Sequence, residues 1–265
     1  MLSVQFGKEI YKLTGRISTE VDVSLSFDTA GTVAAALRIL ELYAAEGIPK
    51  DKVRIKISAT WEGIQATRIL QKEHGASCLV TIVFGSVQAI AAAEAGADAI
   101  APYVGRIADY GKQHGHQGDL GIETVSAIQN YLRKHNCSTQ VMAASFRNVE
   151  QIRALAGIDL LTAAPSILEL VEADSRLVVP VLTVESGTLL CFLNNMCYFK
   201  LTNSFLLPTA QAAELQHASY INDESKFRWA FNADALAVEK SAEAMRKFGD
   251  DTEKLKSLLS KLLDV

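Results

Sequence analysis

Val53-Arg-Ile-Lys-Ile-Ser58, the stretch Trp61–Glu73, and Leu79-Val-Thr-Ile-Val-Phe84 together decide the fold. In the first run Val53, Ile55 and Ile57 share one face while Arg54, Lys56 and Ser58 share the other, which is the two-residue period of a strand. The period then changes: Ile64, Ile69 and Leu70 give residues 61–73 one apolar helical face. The third run is apolar almost throughout and suits a strand covered on both sides. Strand, helix, strand at this spacing is a βαβ unit and predicts a parallel sheet.

Working outward, the same alternation extends from residue 17 to about 165. Further strands are expected at Ile17–Asp22, Ala99–Val104, Gln140–Ser145 and Leu160–Pro165, giving six in succession, with helices at Thr32–Glu46 and Ser86–Glu94. Lys8–Lys12 reads as a short helix stopped at Thr14-Gly15, and Asp234–Val265 as an amphipathic, charged pair of docking helices. A parallel sheet of this kind is either open and doubly wound or closed into a (β/α)8 barrel. The open form often carries Gly-x-Gly-x-x-Gly after its first strand, and that pattern is absent from the sequence. Barrels gather polar residues at the C-terminal ends of many strands, as Glu20, Lys56, Thr81, Arg106, Ser145 and Arg147 do here. The expectation is an α/β TIM (β/α)8-type barrel, incomplete because six strands are visible and the first two are lacking.

Composition narrows the function classes. The chain has 265 residues, 49% hydrophobic and 21% charged, with 26 basic and 30 acidic side chains for a net charge of −4. No basic excess favours nucleic acid as a partner. Cysteines at 78, 137, 191 and 197 form no Cys-x-x-Cys, which fits a reducing, cytoplasmic setting better than a disulfide scaffold or zinc site. The first residues have no basic-then-apolar pattern of a secretory leader. Residues 187–209 contain one charge, Lys200, but Asn194, Asn195 and Asn203 interrupt the run, so a membrane span is not expected there.

Several side chains are placed for chemistry. Lys56 projects from the inner face near the barrel mouth. Partial removal from water lowers a lysine's preference for charge, and a neutral amine can form a Schiff base with a carbonyl. Glu20, late in its own strand, could move protons through a water, and Thr81 could hold that water. Arg106 and Arg147 with Ser145 make a plausible phosphate clamp. Each has a plainer alternative: a solvated lysine, a structural ion pair, two surface arginines. His114 and His116 beside Asp119 invite a metal, but the glycine-rich stretch 111–121 lacks a helix to fix ligand spacing and reads as a solvated loop. Trp61 reads as packing and Thr29 as a helix cap, since Asp28–Gly31 lacks the ending of a P-loop.

At this point the chain resembles the transaldolases, class I aldolases built on a TIM barrel. The resemblance is carried by Gly15-Arg-Ile-Ser-Thr-Glu-Val-Asp22, Arg54-Ile-Lys-Ile-Ser-Ala-Thr-Trp-Glu-Gly63, Pro102-Tyr-Val-Gly-Arg106, Ala144-Ser-Phe-Arg-Asn148 and Phe227-Arg-Trp-Ala-Phe-Asn232. It implies Lys56 as the Schiff-base lysine, Glu20 as acid/base, Thr81 as a holder of the catalytic water, and Arg106, Ser145 and Arg147 as the phosphate site. It further implies transfer of a dihydroxyacetone unit between sugar phosphates in the pentose phosphate pathway, with no metal or organic cofactor. The implied substrates are fructose 6-phosphate, sedoheptulose 7-phosphate, erythrose 4-phosphate and glyceraldehyde 3-phosphate, and a homodimer is compatible with it.

The departures from the family pattern are specific. Two strands that carry an aspartate and a substrate-binding asparagine in the family have no counterpart before Met1. Ala101 stands for a serine, Leu79 for an asparagine and Tyr103 for a phenylalanine, while Arg54 occupies an inward position expected to be apolar. Tyrosine at 103 is shared with the related fructose-6-phosphate aldolases and hints at aldol cleavage. Residues 1–265 then read as a single barrel domain, with 187–209 an atypical insert of intron origin and 210–265 C-terminal helices. The alternative function is a catalytically impaired homologue that binds sugar phosphate or a partner without turnover.

Overall fold

The computed structural model describes residues 2–182 and 217–262. Six strands, β1 (Ile17–Glu20), β2 (Val53–Ser58), β3 (Ser77–Val83), β4 (Ala99–Pro102), β5 (Gln140–Ala144) and β6 (Leu160–Thr162), lie side by side in chain order. Every pair is parallel. Sequential order is that of a (β/α)8 barrel, whereas a doubly wound sheet reverses direction part-way. The sheet curls into a half-barrel. Among the described residues β1 and β6 each have one neighbour, so two edges stay open.

The helices are α1 (Leu2–Thr14), α2 (Thr29–Ala45), α3 (Trp61–His74), α4 (Ser86–Glu94), α5 (Val104–Gln113), α6 (Leu120–Lys134), α7 (Val149–Ala154), α8 (Pro165–Glu172), α9 (Glu224–Asn232) and α10 (Ala235–Leu262). Their starts are written locally. Thr60 caps α3 by accepting from Gly63 N at 3.0 Å, and Asp119, Asn148 and Asp223 do the same for α6, α7 and α9. Gly75, at φ +55°, ends α3 in the left-handed conformation that a Cβ disfavours.

Four expectations need correction. The first helix is thirteen residues long rather than the short Lys8–Lys12 turn, because Val4 is buried and extends the docked face. Thr29 is not the cap of α2: Asp28 accepts from Gly31 N at 2.8 Å, and the Thr29 hydroxyl instead donates to the Glu62 carbonyl. The stretch 111–121 is not all loop, since α5 runs into it and α6 begins at Leu120. Residues 235–262 form one continuous helix, not two, since no Pro interrupts it and Gly249 has room where it sits. The segment 187–209 lies outside the described residues.

Two faces of the sheet are filled differently. Outward, Ile17, Val53, Ile55, Ile57 and Cys78 meet Ala36, Tyr43 and Leu70 of the surrounding helices. Further along, Val80, Ile100 and Val141 meet Ile64, Ala91 and Val125. Inward, Leu79, Ala99, Ala101, Tyr103 and Ala144 pack together with Ala237 and Ala244 of α10. Three of those strand residues are alanines, so the interior has room for Tyr103 and for the helix. The C-terminal helix thus packs against β3 and α5 and forms part of the wall at the sheet's C-terminal end. Among the described residues no helix is long and apolar enough to cross a membrane.

Candidate active site

Register places the first pair. β1 and β2 align Glu20 with Lys56, so both side chains leave the same face at the same level. Lys56 Nζ donates to Glu20 Oε2 at 2.9 Å, and the two side chains are 26% and 30% exposed. Glu20 Oε1 is buried and has no protein partner, which leaves one carboxylate acceptor unused.

The sequence expectation for the lysine's charge is overturned. Burial does push the Lys56 pKa down, but the Glu20 carboxylate, the Tyr103 phenol and the hydrogen bond that Lys56 donates to Glu20 together outweigh it. The net direction is upward: the resting group is an ammonium, and the amine has to be made inside the site.

Along the next strands, register sets Lys56 beside Leu79 and Ser58 beside Thr81. Thr81 is fully buried, and its Oγ1 lies 3.0 Å from the Tyr103 hydroxyl. The pairing of β3 with β4 shifts between Val80 and Val83, and Ile82 takes φ 61° inside that irregularity. A β-branched residue at positive φ is strained and needs support. Gln88 of α4 supplies it: its Nε2 donates to the Ile82 and Ala59 carbonyls at 3.0 Å, and its Oε1 accepts from Phe84 N at 2.9 Å. The same amide meets Ser241 Oγ of α10 at 3.2 Å.

Tyr103 joins this group to the cations. Its ring lies edge-on to Phe84, and the Arg106 guanidinium sits over its face, 5.3 Å from the centroid. Phe248 of α10 takes the same guanidinium at 5.6 Å. Arg106 Nη1 is buried without a hydrogen-bond partner. Arg106, Ser145 and Arg147, read from separate strand ends, all line one cavity of about 450 Å³. Ser145 adopts φ 65° at the end of β5, and Arg147 Nη1 donates to its carbonyl and its hydroxyl at 3.1 and 3.2 Å. Arg147 is otherwise held by Asp109, whose Oδ2 accepts from Nη2 at 2.7 Å and Nε at 3.0 Å.

The chain matches the family model "Transaldolase/Fructose-6-phosphate aldolase" over residues 1–259. The chain belongs to that family. It is 43% identical to a transaldolase of Fusarium oxysporum over 268 aligned residues, covering 99% of this chain and 76% of that protein. It is 44% identical to a transaldolase of Kluyveromyces lactis, covering 97% and 72% of the two, and 42% identical to human transaldolase, covering 98% and 72%.

Within this transaldolase-family chain the remaining candidates fall outside the cluster. His116 Nε2 meets Glu123 Oε2 at 3.0 Å, His114 stacks on Tyr110, and no group of metal-ligating side chains forms among the described residues. Trp61 packs on Phe227, its ring centroid 5.5 Å away. Arg54 faces inward as its strand position requires, and its Nε donates to Ser77 Oγ at 3.3 Å.

Sequence reasoning missed five residues around the transaldolase-family site: Gln88, Asp109, Lys240, Glu243 and Lys247. The last three stand at helical spacing in the charged C-terminal stretch, which reads as docking helices with no stated docking place. Nothing local says that this face turns toward the cavity.

Proposed function

We propose that the chain transfers a dihydroxyacetone unit between sugar phosphates through a Schiff base on Lys56. The observation that carries it is the Lys56–Glu20 contact of 2.9 Å at the sheet's C-terminal end, on the strands that precede the Arg106–Ser145–Arg147 cavity. Lys56 passes a proton to Glu20, and the amine attacks the C2 carbonyl of a ketose phosphate. Glu20 returns a proton as the carbinolamine loses water, leaving a protonated imine. That imine draws in the electron pair as C3–C4 breaks, while the C4 hydroxyl gives its proton through the water to Glu20 and the aldehyde leaves. The resulting enamine attacks an acceptor aldehyde, whose oxygen takes that proton back, and water then hydrolyses the imine to free product and Lys56. Thr81 holds the water through which Glu20 works, and Arg106, Ser145 and Arg147 take the phosphate. On this reading the substrates are the sugar phosphates of the pentose phosphate pathway and the setting is cytoplasmic.

A second reading is favoured by Leu79 and Ala101, buried apolar residues on the inward face where the family pattern carries polar side chains. On it, the chain binds sugar phosphate and forms the imine without completing turnover. The two separate in one assay of purified protein with fructose 6-phosphate. Repeated release of glyceraldehyde 3-phosphate only when erythrose 4-phosphate is added, with at most one equivalent per site without it, supports transfer. Continued release without acceptor marks aldol cleavage, and no release from folded protein supports the impaired homologue.

A further inference from the structure

Helix α10 contributes Lys240, Glu243 and Lys247 to the cavity, at i, i+3 and i+7, so one charged helical face lines it. Lys240 Nζ lies 2.5 Å from Glu243 Oε2, with the lysine side chain 11% exposed and the glutamate 55%. An ordinary surface pair has both ends in water. Here the lysine side chain is mostly buried while its counter-ion, on the same cavity wall, is largely exposed, an arrangement that a dianion entering the cavity can replace. The opposite wall is built alike: Arg147 is held by Asp109, and Arg106, with a buried unpartnered Nη1, is covered by Phe248 from the same helix. The cavity therefore carries four cations and two carboxylates.

We propose that Lys240, with Lys247 behind it, is the third side of the phosphate site, and that Glu243 is its internal counter-ion, released when the anion binds. This rests on the reading of Arg106, Ser145 and Arg147 as the phosphate site and extends it to the C-terminal helix. The arginine forks fix the orientation of the phosphate oxygens, and the lysine adds a point charge. Two carboxylates near the cations set a threshold: only a doubly charged group displaces Glu243, so a phosphate monoester binds where a carboxylate does not.

The test is titration calorimetry of the full chain with inorganic phosphate, and with acetate as a monoanion. Lys240→Gln is expected to weaken phosphate binding by about tenfold or more, and Lys240→Arg to retain most of it. Glu243→Gln is expected to move the other way, tightening phosphate by about threefold to tenfold and letting acetate bind. That gain comes from a variant that loses an ion pair, so damage to the fold cannot mimic it. Arg106→Gln is the control for the parent reading. If Arg106→Gln weakens phosphate while both Lys240→Gln and Glu243→Gln leave it unchanged, the proposal is overturned and the arginine site stands. If Arg106→Gln also changes nothing, the parent reading and the proposal fall together.

Discussion

Lys56 and Glu20 meet at 2.9 Å because parallel register pairs them across two adjacent strands, thirty-six residues apart in sequence. The contact has two opposed consequences. It holds the lysine charged, and it places beside the lysine a carboxylate that can relieve it of its proton.

Glu20→Gln separates those consequences. Removing the carboxylate takes away the main influence holding the Lys56 pKa up, so burial prevails and the pKa falls. The amine then forms at lower pH, and the pH midpoint for imine trapping moves down. Turnover nevertheless drops by about 10²–10⁴-fold, since proton transfer is lost. A trapping profile that stays in place, or moves up, contradicts this assignment of cause.

Tyr103→Phe tests whether the phenol sets the fate of the enamine. It removes the hydroxyl 3.0 Å from the buried Thr81 Oγ1, and loss of that buried hydrogen bond should cost about 0.5–1.5 kcal/mol in urea unfolding. Free dihydroxyacetone is expected to fall relative to transferred product, since the variant removes a hydroxyl proton donor from the site. An unchanged product ratio removes Tyr103 from that role.

How far the site could be read from sequence depended on whether a residue's placement is set locally. Strand period alone put Lys56 inward, and the strand ends of Glu20, Thr81, Ser145 and Arg147 followed from the βα spacing. The bulge at Ile82 was not legible, because it depends on Gln88 reaching it from the next helix. The pKa direction of Lys56 was read wrongly for a similar reason: burial is visible along one strand, while the compensating charge comes from another. The helix bearing Lys240 read as a docking helix, but its own sequence contains no trace of what that face packs against.

Gln88→Leu tests the support of the bulge. It leaves the buried Phe84 N–H and the Ala59 and Ile82 carbonyls unpaired, and about 2–4 kcal/mol of stability should be lost. Denaturant unfolding measures it; a loss under about 0.5 kcal/mol, the range of ordinary surface substitutions, contradicts the role.

Gly105→Ala probes the close approach beneath the Ser145–Arg147 turn. A Cβ there would fall inside contact distance of the Ser145 carbonyl oxygen, to which Gly105 N donates at 3.1 Å. Phosphate binding should weaken while imine formation with dihydroxyacetone, which lacks phosphate, persists. Equal loss of both would mean the two ends of the site are not separable.

Cys78 reports on the outer face of the sheet. It is fully buried, and burial, aided by Asp98, pushes its thiol up to about 12. In folded protein at pH 8 it should resist iodoacetamide, with peptide mapping finding the label elsewhere first. Early modification of Cys78 would mean that the β2–β3 core opens readily.

The most direct test of the central claim is borohydride trapping with fructose 6-phosphate, followed by peptide mass mapping. A three-carbon adduct on Lys56, absent from Lys56→Ala, is the predicted result: the imine forms there and C3–C4 is cleaved. A folded protein that yields no adduct at Lys56, or one at a different lysine, contradicts the assignment of Lys56 as the Schiff-base residue.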